Sequence, residues 1–210
     1  VNRSWVIVAF VAAIAATFGM VFYFRDAPAR ELRRDTEARG GEFFATDTIG
    51  LRERVADLVE GEIYKLELIR RFRDGARTLE IFDFGRRVMT QGGAGDVARF
   101  TGIYLGRGPE SLRDATIRFA PRAPAAQRFE DLFTVSADFH PTPKLETELV
   151  AQVREKLALE SVRCKDRRVL LTLRWGSAAQ DLDDWLRRAR AIESALAETI
   201  HDVAPEAPER

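Results

Sequence analysis

The stretch YKLELIRRFRDGARTLEIFDF, Tyr64 to Phe84, reads as two β-strands folded back on one another. Tyr64, Leu66 and Leu68 alternate with Lys65 and Glu67, the period of a strand with one buried face. Arg73-Asp74-Gly75-Ala76 supplies an Asp-Gly turn, and TLEIFDF returns as the partner strand. Strand signals continue outward from this hairpin. QGGAGD (91–96) is a loop, and Ala98 to Leu105 is the next strand, with Gly102 marking a bulge. Ala115, Ile117 and Phe119 alternate with Thr116 and Arg118. Beyond the link APRAPAAQ (120–127), Phe133, Val135 and Ala137 alternate with Thr134, Ser136 and Asp138. Val162 to Cys164 and Val169 to Trp175 form a strand pair around Lys165-Asp166.

Helical periods flank these strands. Leu51, Val55, Leu58 and Val59 share one face of a short helix. Thr142-Pro143 is an N-cap followed by proline at the first helical position, and Leu145, Leu149, Val153 and Leu157 give that helix its apolar stripe. DLDDWLRRARAIESALAETI (181–200) is a long amphipathic helix burying Leu182, Leu186, Ala189, Ile192, Leu196 and Ile200, with Trp185 beside them. Asp183–Arg187 and Asp184–Arg188 have the spacing of exposed ion pairs on it. Strands in a run with helices gathered late predict an α+β domain: a mainly antiparallel sheet with two or three packed helices.

Ahead of this domain, WVIVAFVAAIAATFGMVFYF (Trp5 to Phe24) contains no charged residue. At ~1.5 Å per residue it matches a hydrocarbon core of roughly 30 Å, so the sequence predicts a single N-terminal transmembrane helix. Ala9, Ala12, Ala13, Ala16 and Gly19 fall on one arc of it, while Phe10, Ile14, Phe18 and Val21 fall opposite. Small residues let another helix approach and bulky ones suit lipid, so the small arc is the expected partner-binding face. Trp5, Tyr23, Phe24 and Arg25 sit at the expected membrane interfaces. A cleaved secretory signal is the competing reading, but the run exceeds the usual ~7–15 apolar residues and ends in bulky aromatics. Only Arg3 precedes the segment, whereas Arg25, Arg30, Arg33, Arg34 and Arg39 follow it, which predicts a cytoplasmic C-terminal domain at the bacterial inner membrane. The expected organisation is an anchor (1–24), a charged stalk ended by Gly40-Gly41 (25–49), the α+β domain (50–203) and a fraying tail (204–210).

The 210 residues carry 33 basic and 33 acidic side chains, so no basic excess points to nucleic acid. Cys164 is the only cysteine, which excludes an intrachain disulfide and a CxxC metal site, and it reads as a small core residue. Gly93 to Ala98 matches G-x-G-x-x-A, but RFTGIYLG after it reads as strand, where a dinucleotide site needs a helix. His140 and His201 stand far apart, a poor basis for zinc, and Ser136 and Ser177 lack a nucleophile-elbow context. Asp181, Asp183 and Asp184 suit a helix start. Asp83, between Phe82 and Phe84, is the one acid in an apolar setting, and an arginine partner is its expected counterpart. The sequence therefore predicts no catalytic residue, cofactor or metal.

FEDLFTVSAD (129–138), TPKLETELV (142–150) and SVRCKDRRVLLTL (161–173) resemble a bacterial membrane-protein family known only as a domain of unknown function, and FDF (82–84) resembles an earlier strand of it. The resemblance implies transmembrane segments followed by a soluble part. It implies no activity, and the chain departs from it in having one apolar span where two are common. The function expected from all this is a non-catalytic accessory subunit or assembly factor of a larger bacterial membrane complex. Its partners would be transmembrane helices of other proteins and the lipid bilayer. The alternatives are a membrane-tethered ligand-binding domain or enzyme, and a homo-oligomeric scaffold.

Overall fold

The computed structural model describes residues 27, 29–74, 77–88, 96–122, 127–154, 158–174 and 182–198. The helical residues 29–38 are α1. They are followed by β1 (Glu42–Thr46), α2 (Leu51–Val55), β2 (Ile63–Asp74), β3 (Arg77–Val88), β4 (Asp96–Leu105) and β5 (Ala115–Phe119). Then come α3 (Phe129–Leu132), β6 (Phe133–Val135), α4 (Pro143–Arg154), β7 (Leu159–Lys165), β8 (Arg168–Arg174) and α5 (Leu182–Glu198). The strands form one eight-stranded sheet of order β1-β2-β3-β4-β8-β7-β5-β6, with every pairing antiparallel.

Both faces of this sheet are covered, so its central strands are apolar on both sides. Leu79, Ile81, Ile103, Val169, Leu171 and Leu173 point to a larger core filled by α4 and α5. Phe82, Phe84, Phe100, Tyr104 and Leu170 point to a second core under Leu51, Val55, Leu58 and Val59. The carboxylate of Asp47 accepts the backbone N–H groups of Leu51 (2.8 Å) and Arg52 (2.7 Å), so it starts α2 from outside the helix. Thr142 caps α4 as its sequence predicts, its hydroxyl accepting from Leu145 N–H at 3.3 Å.

The α+β expectation stands, but the predicted fold needs correction. Helices expected to number two or three are five among the described residues. The expected transmembrane helix is not part of the fold seen: Trp5 to Phe24 lie outside the described residues, and no described helix is long and apolar enough to cross a membrane. The stretch read as a stalk is also built into the domain. Gly41 N–H donates to Thr36 C=O (2.9 Å) and Gly40 N–H to Glu37 C=O (3.0 Å), which closes α1 in a Schellman motif. Gly40 takes the left-handed conformation this requires, φ 74°. The chain then returns as β1, the edge strand.

Two smaller expectations also change. Gly102 marks no bulge, because β4 keeps an unbroken register with β3 and β8. A Cβ there would lie 2.4 Å from Phe82 Cζ, so glycine makes room for the ring. The bulges lie in β2 instead, between Ile63 and Lys65 and between Glu67 and Arg70. Each extra residue reverses the alternation. Ile63, Leu66 and Ile69 are therefore buried together, while Tyr64 is 56% exposed.

Candidate functional site

The bulges open a basin at one end of the sheet, on the face that carries α4 and α5. It is lined by Tyr64, Lys65, Glu67, Asp83, Gly85, Val97 and Arg99 and has a volume of about 260 Å³. Register sets its floor. Glu67 pairs with Asp83 and Asp83 with Thr101, one row of the sheet; Lys65, Gly85 and Arg99 form the next. Leu68, just past the first of these rows on β2 and inside the Glu67–Arg70 bulge, has φ 55°, a left-handed conformation unusual for a side chain of its size. That strain accompanies the second bulge, and bulges of this kind are frequent where a side chain is re-aimed toward a site.

Thr101 Oγ1 donates to Asp83 Oδ1 at 2.8 Å, and Lys65 Nζ lies 2.5 Å from Glu67 Oε2. One row beyond, Arg70 is only 5% exposed and its Nε has no hydrogen-bond partner. Burial lowers the Arg70 guanidinium from its usual range, against the opposing fields of Asp83 and Asp35. The charge of Asp83 thus opposes the effect of burial on Arg70, while its carboxylate accepts from Thr101. The basin offers paired charges of both signs and a hydroxyl. Its lining contains no histidine or cysteine, and its volume is below the ~300 Å³ at which small-molecule pockets usually begin.

The other residues singled out in the sequence are scattered. Ala9, Ala12, Ala13, Ala16, Gly19, Trp5, Tyr23, Phe24 and Arg25 lie outside the described residues, as do Gly93, Ser177, Asp181 and His201. His140 is exposed before α4. Cys164 is buried at 3% exposure, and desolvation pushes its thiol up to about 12. Ser136 accepts from Thr116 N–H at 3.2 Å, a structural bond at the β5–β6 margin. Asp184 pairs with Arg188 at 2.5 Å as expected, and Asp183 reaches across to Arg39 at 2.5 Å, tying α5 to the end of α1. Among the described residues no group of three His, Cys, Asp or Glu side chains is placed to hold a metal ion.

Sequence reading missed Glu80, the most deeply buried acid among the described residues. It is inaccessible, bridged by Arg54 from α2 and Arg71 from β2, all at 2.8 Å. A lone acid in LEIF carries the same signal as the acid in FDF, and it pointed to the wrong strand position of interest.

Fold and site define an α+β protein with one antiparallel sheet between helices and an open polar basin at the sheet end. No protein-family profile matches the chain, and no curated protein sequence matches it. Among solved structures, the chain is similar to the mycobacterial trehalose monomycolate transport factor A, TtfA. Identity is 15% and the TM-score 0.49, over 86% of this chain and 98% of that one.

Proposed function

We propose that the protein is a non-catalytic accessory or assembly component of a bacterial membrane complex, held at the cytoplasmic face of the inner membrane by its apolar amino-terminal segment. The observation that carries this reading is the docking of α1. Only four residues separate Phe24 from Ala29. From there the chain is already fixed to the sheet: Thr36 is inaccessible, Arg33 stacks over Phe43, and Arg39 bonds Asp183. A tethered enzyme that must reach its substrate gains from a flexible leash. A component that sets the geometry of an assembly gains from a short connection. Charged groups of the domain fit the same reading, since Glu80, Glu60 and Asp57 are each engaged by two basic side chains that join distant parts of the chain.

Inserting a flexible Gly/Ser linker between Phe24 and Ala29 tests the reading. An assembly component should lose its place in the native complex isolated in mild detergent, while a tethered enzyme should tolerate the insertion. Protease treatment of sealed vesicles of both orientations tests the cytoplasmic placement; cleavage only from the periplasmic side would overturn it.

The hydrogen-bonded Asp83–Thr101 pair in the basin favours one second reading, a membrane-tethered domain binding a small charged ligand. Saturable binding of such a ligand, abolished by Asp83→Ala, would select it.

A further inference from the structure

At the opposite end of β3 and β4 from the basin lies a larger hollow of about 410 Å³, within the ~300–1,000 Å³ range of small-molecule pockets. The loop after β4 brings Arg107 to it, and the turn between β7 and β8 brings Arg167 and Arg168. Asp166 is the one acid in its lining among the described residues. Arg168 is already answered. It donates to both oxygens of Asp57 (3.2 and 2.8 Å), to Asp166 (3.2 Å) and to the Arg54 carbonyl (2.9 Å). Arg167 turns Nε and Nη2 onto the Gly108 carbonyl at 3.2 and 3.1 Å. Its Nη1 stands 3.7 Å from Glu110, beyond hydrogen-bond reach, and the Glu110 side chain is 91% exposed. Arg107 is exposed and forms no ion pair among the described residues. Two guanidinium groups at the hollow thus keep donors to spare.

The backbone around the hollow is held in conformations that side chains resist. Of the four non-glycine residues with positive φ among the described residues, three border it: Arg107 (φ 51°), Asp166 (φ 48°) and Arg167 (φ 65°). Asp166 and Arg167 form the two-residue turn between β7 and β8, since Lys165 pairs with Arg168. Such a turn favours Asn-Gly, because both positions need positive φ. The Arg167 carbonyl accepts from Gly108 N–H at 2.6 Å, which ties the turn to the loop carrying Arg107. Left-handed conformations of non-glycine residues cost energy and gather at ligand sites. Gly106 points the same way. It has no positive φ to require glycine, and a Cβ on it would lie 3.1 Å from Thr78 Oγ1 and 3.4 Å from Tyr104 Cε1. Glycine there keeps clear the space that Thr78 and Tyr104 border.

We propose that this hollow binds the phosphate group of a small water-soluble molecule, gripped by Arg107 and Arg167, with the Thr78 hydroxyl donating to one phosphate oxygen and Arg168 adding its field from a fixed position. The fork of a guanidinium matches two phosphate oxygens, and a doubly charged anion displaces the loosely held Glu110 carboxylate. The Asp166 and Asp57 carboxylates stay occupied by Arg168. Such a site is independent of the membrane reading above and adds a small-molecule ligand to it.

The test titrates pyrophosphate into the full chain, held in mild detergent, by calorimetry. Saturable binding is expected, weakened about tenfold or more by Arg107→Asn or Arg167→Asn. Asparagine removes the charge and tolerates the left-handed backbone. Arg128→Asn, at an exposed arginine beside α3, should leave the affinity unchanged. Gly106→Ala keeps every charge, places a methyl group in the hollow and should also weaken binding, so it decides the matter if an arginine variant fails to fold. Absence of saturable binding, an affinity unmoved by the Arg107 and Arg167 variants, or an equal loss in Arg128→Asn overturns the proposal. Acetate binding as tightly as pyrophosphate overturns the phosphate class. Dihexanoyl phosphatidic acid binding more tightly than pyrophosphate overturns the water-soluble source in favour of a lipid headgroup. None of these outcomes touches the membrane reading, which the linker insertion decides.

Discussion

Arg54 donates two parallel hydrogen bonds to Glu80, each 2.8 Å long, and so locks α2 onto the middle of β3. Glu80 is inaccessible to solvent, and Arg71 from the neighbouring strand gives it a further bond at 2.8 Å. A carboxylate taken out of water in this way is tolerated only while its partners hold it.

Glu80→Ala should destabilise the fold by about 3–5 kcal/mol, because it leaves two guanidinium groups facing each other without the shared anion. Chemical denaturation of the variant measures this. A loss below about 1 kcal/mol would mean that the triad contributes no more than a surface pair.

Gly102→Ala should cost about 1–3 kcal/mol, since the new methyl group meets the Phe82 ring at 2.4 Å. Phe82→Leu in the same chain should recover part of that cost. A double-mutant cycle with zero coupling would show that some other contact excludes the side chain.

Glu193 should make stability fall as pH rises. Burial raises its carboxyl above the usual range, against the opposing fields of Arg77 and Arg190. A raised folded-state pKa means its contribution is complete below the unfolded value and lost as pH climbs through the folded one. Glu193→Gln should therefore raise the thermal midpoint near pH 7 and leave it unchanged near pH 4. An equal effect at both pH values would refute the assignment.

Cys164 should resist thiol reagents in the folded protein and react fully in denaturant. Desolvation raises it from 9.0 to about 12, so the stability linked to its proton is intact below pH 9.0 and declines above it. Rapid labelling of the native chain at pH 8 would contradict both its burial and its place in the core.

Much of the architecture is legible in local order. The Asp-Gly hairpin, the Leu51/Val55/Leu58/Val59 face, the Thr142 cap and the Leu182-to-Leu196 stripe all lie where their patterns predict. Each depends on residues a few positions apart, and such patterns follow from the geometry of helix and strand alone.

The tertiary structure decided the rest, because the deciding partners are remote in sequence. Alternation at Tyr64, Leu66 and Leu68 predicts one smooth strand. The fold instead inserts two bulges, which bury Ile63 and Ile69, turn Tyr64 outward and open the basin beside Asp83. A charged run after Arg25 reads as a stalk until Thr36 and Phe72 both close on Gly41 and Arg39 finds Asp183, 144 residues away. A local pattern shows that a side chain is apolar or charged. Which surface covers it, and which opposite charge meets it, is set only when the eight strands take their order.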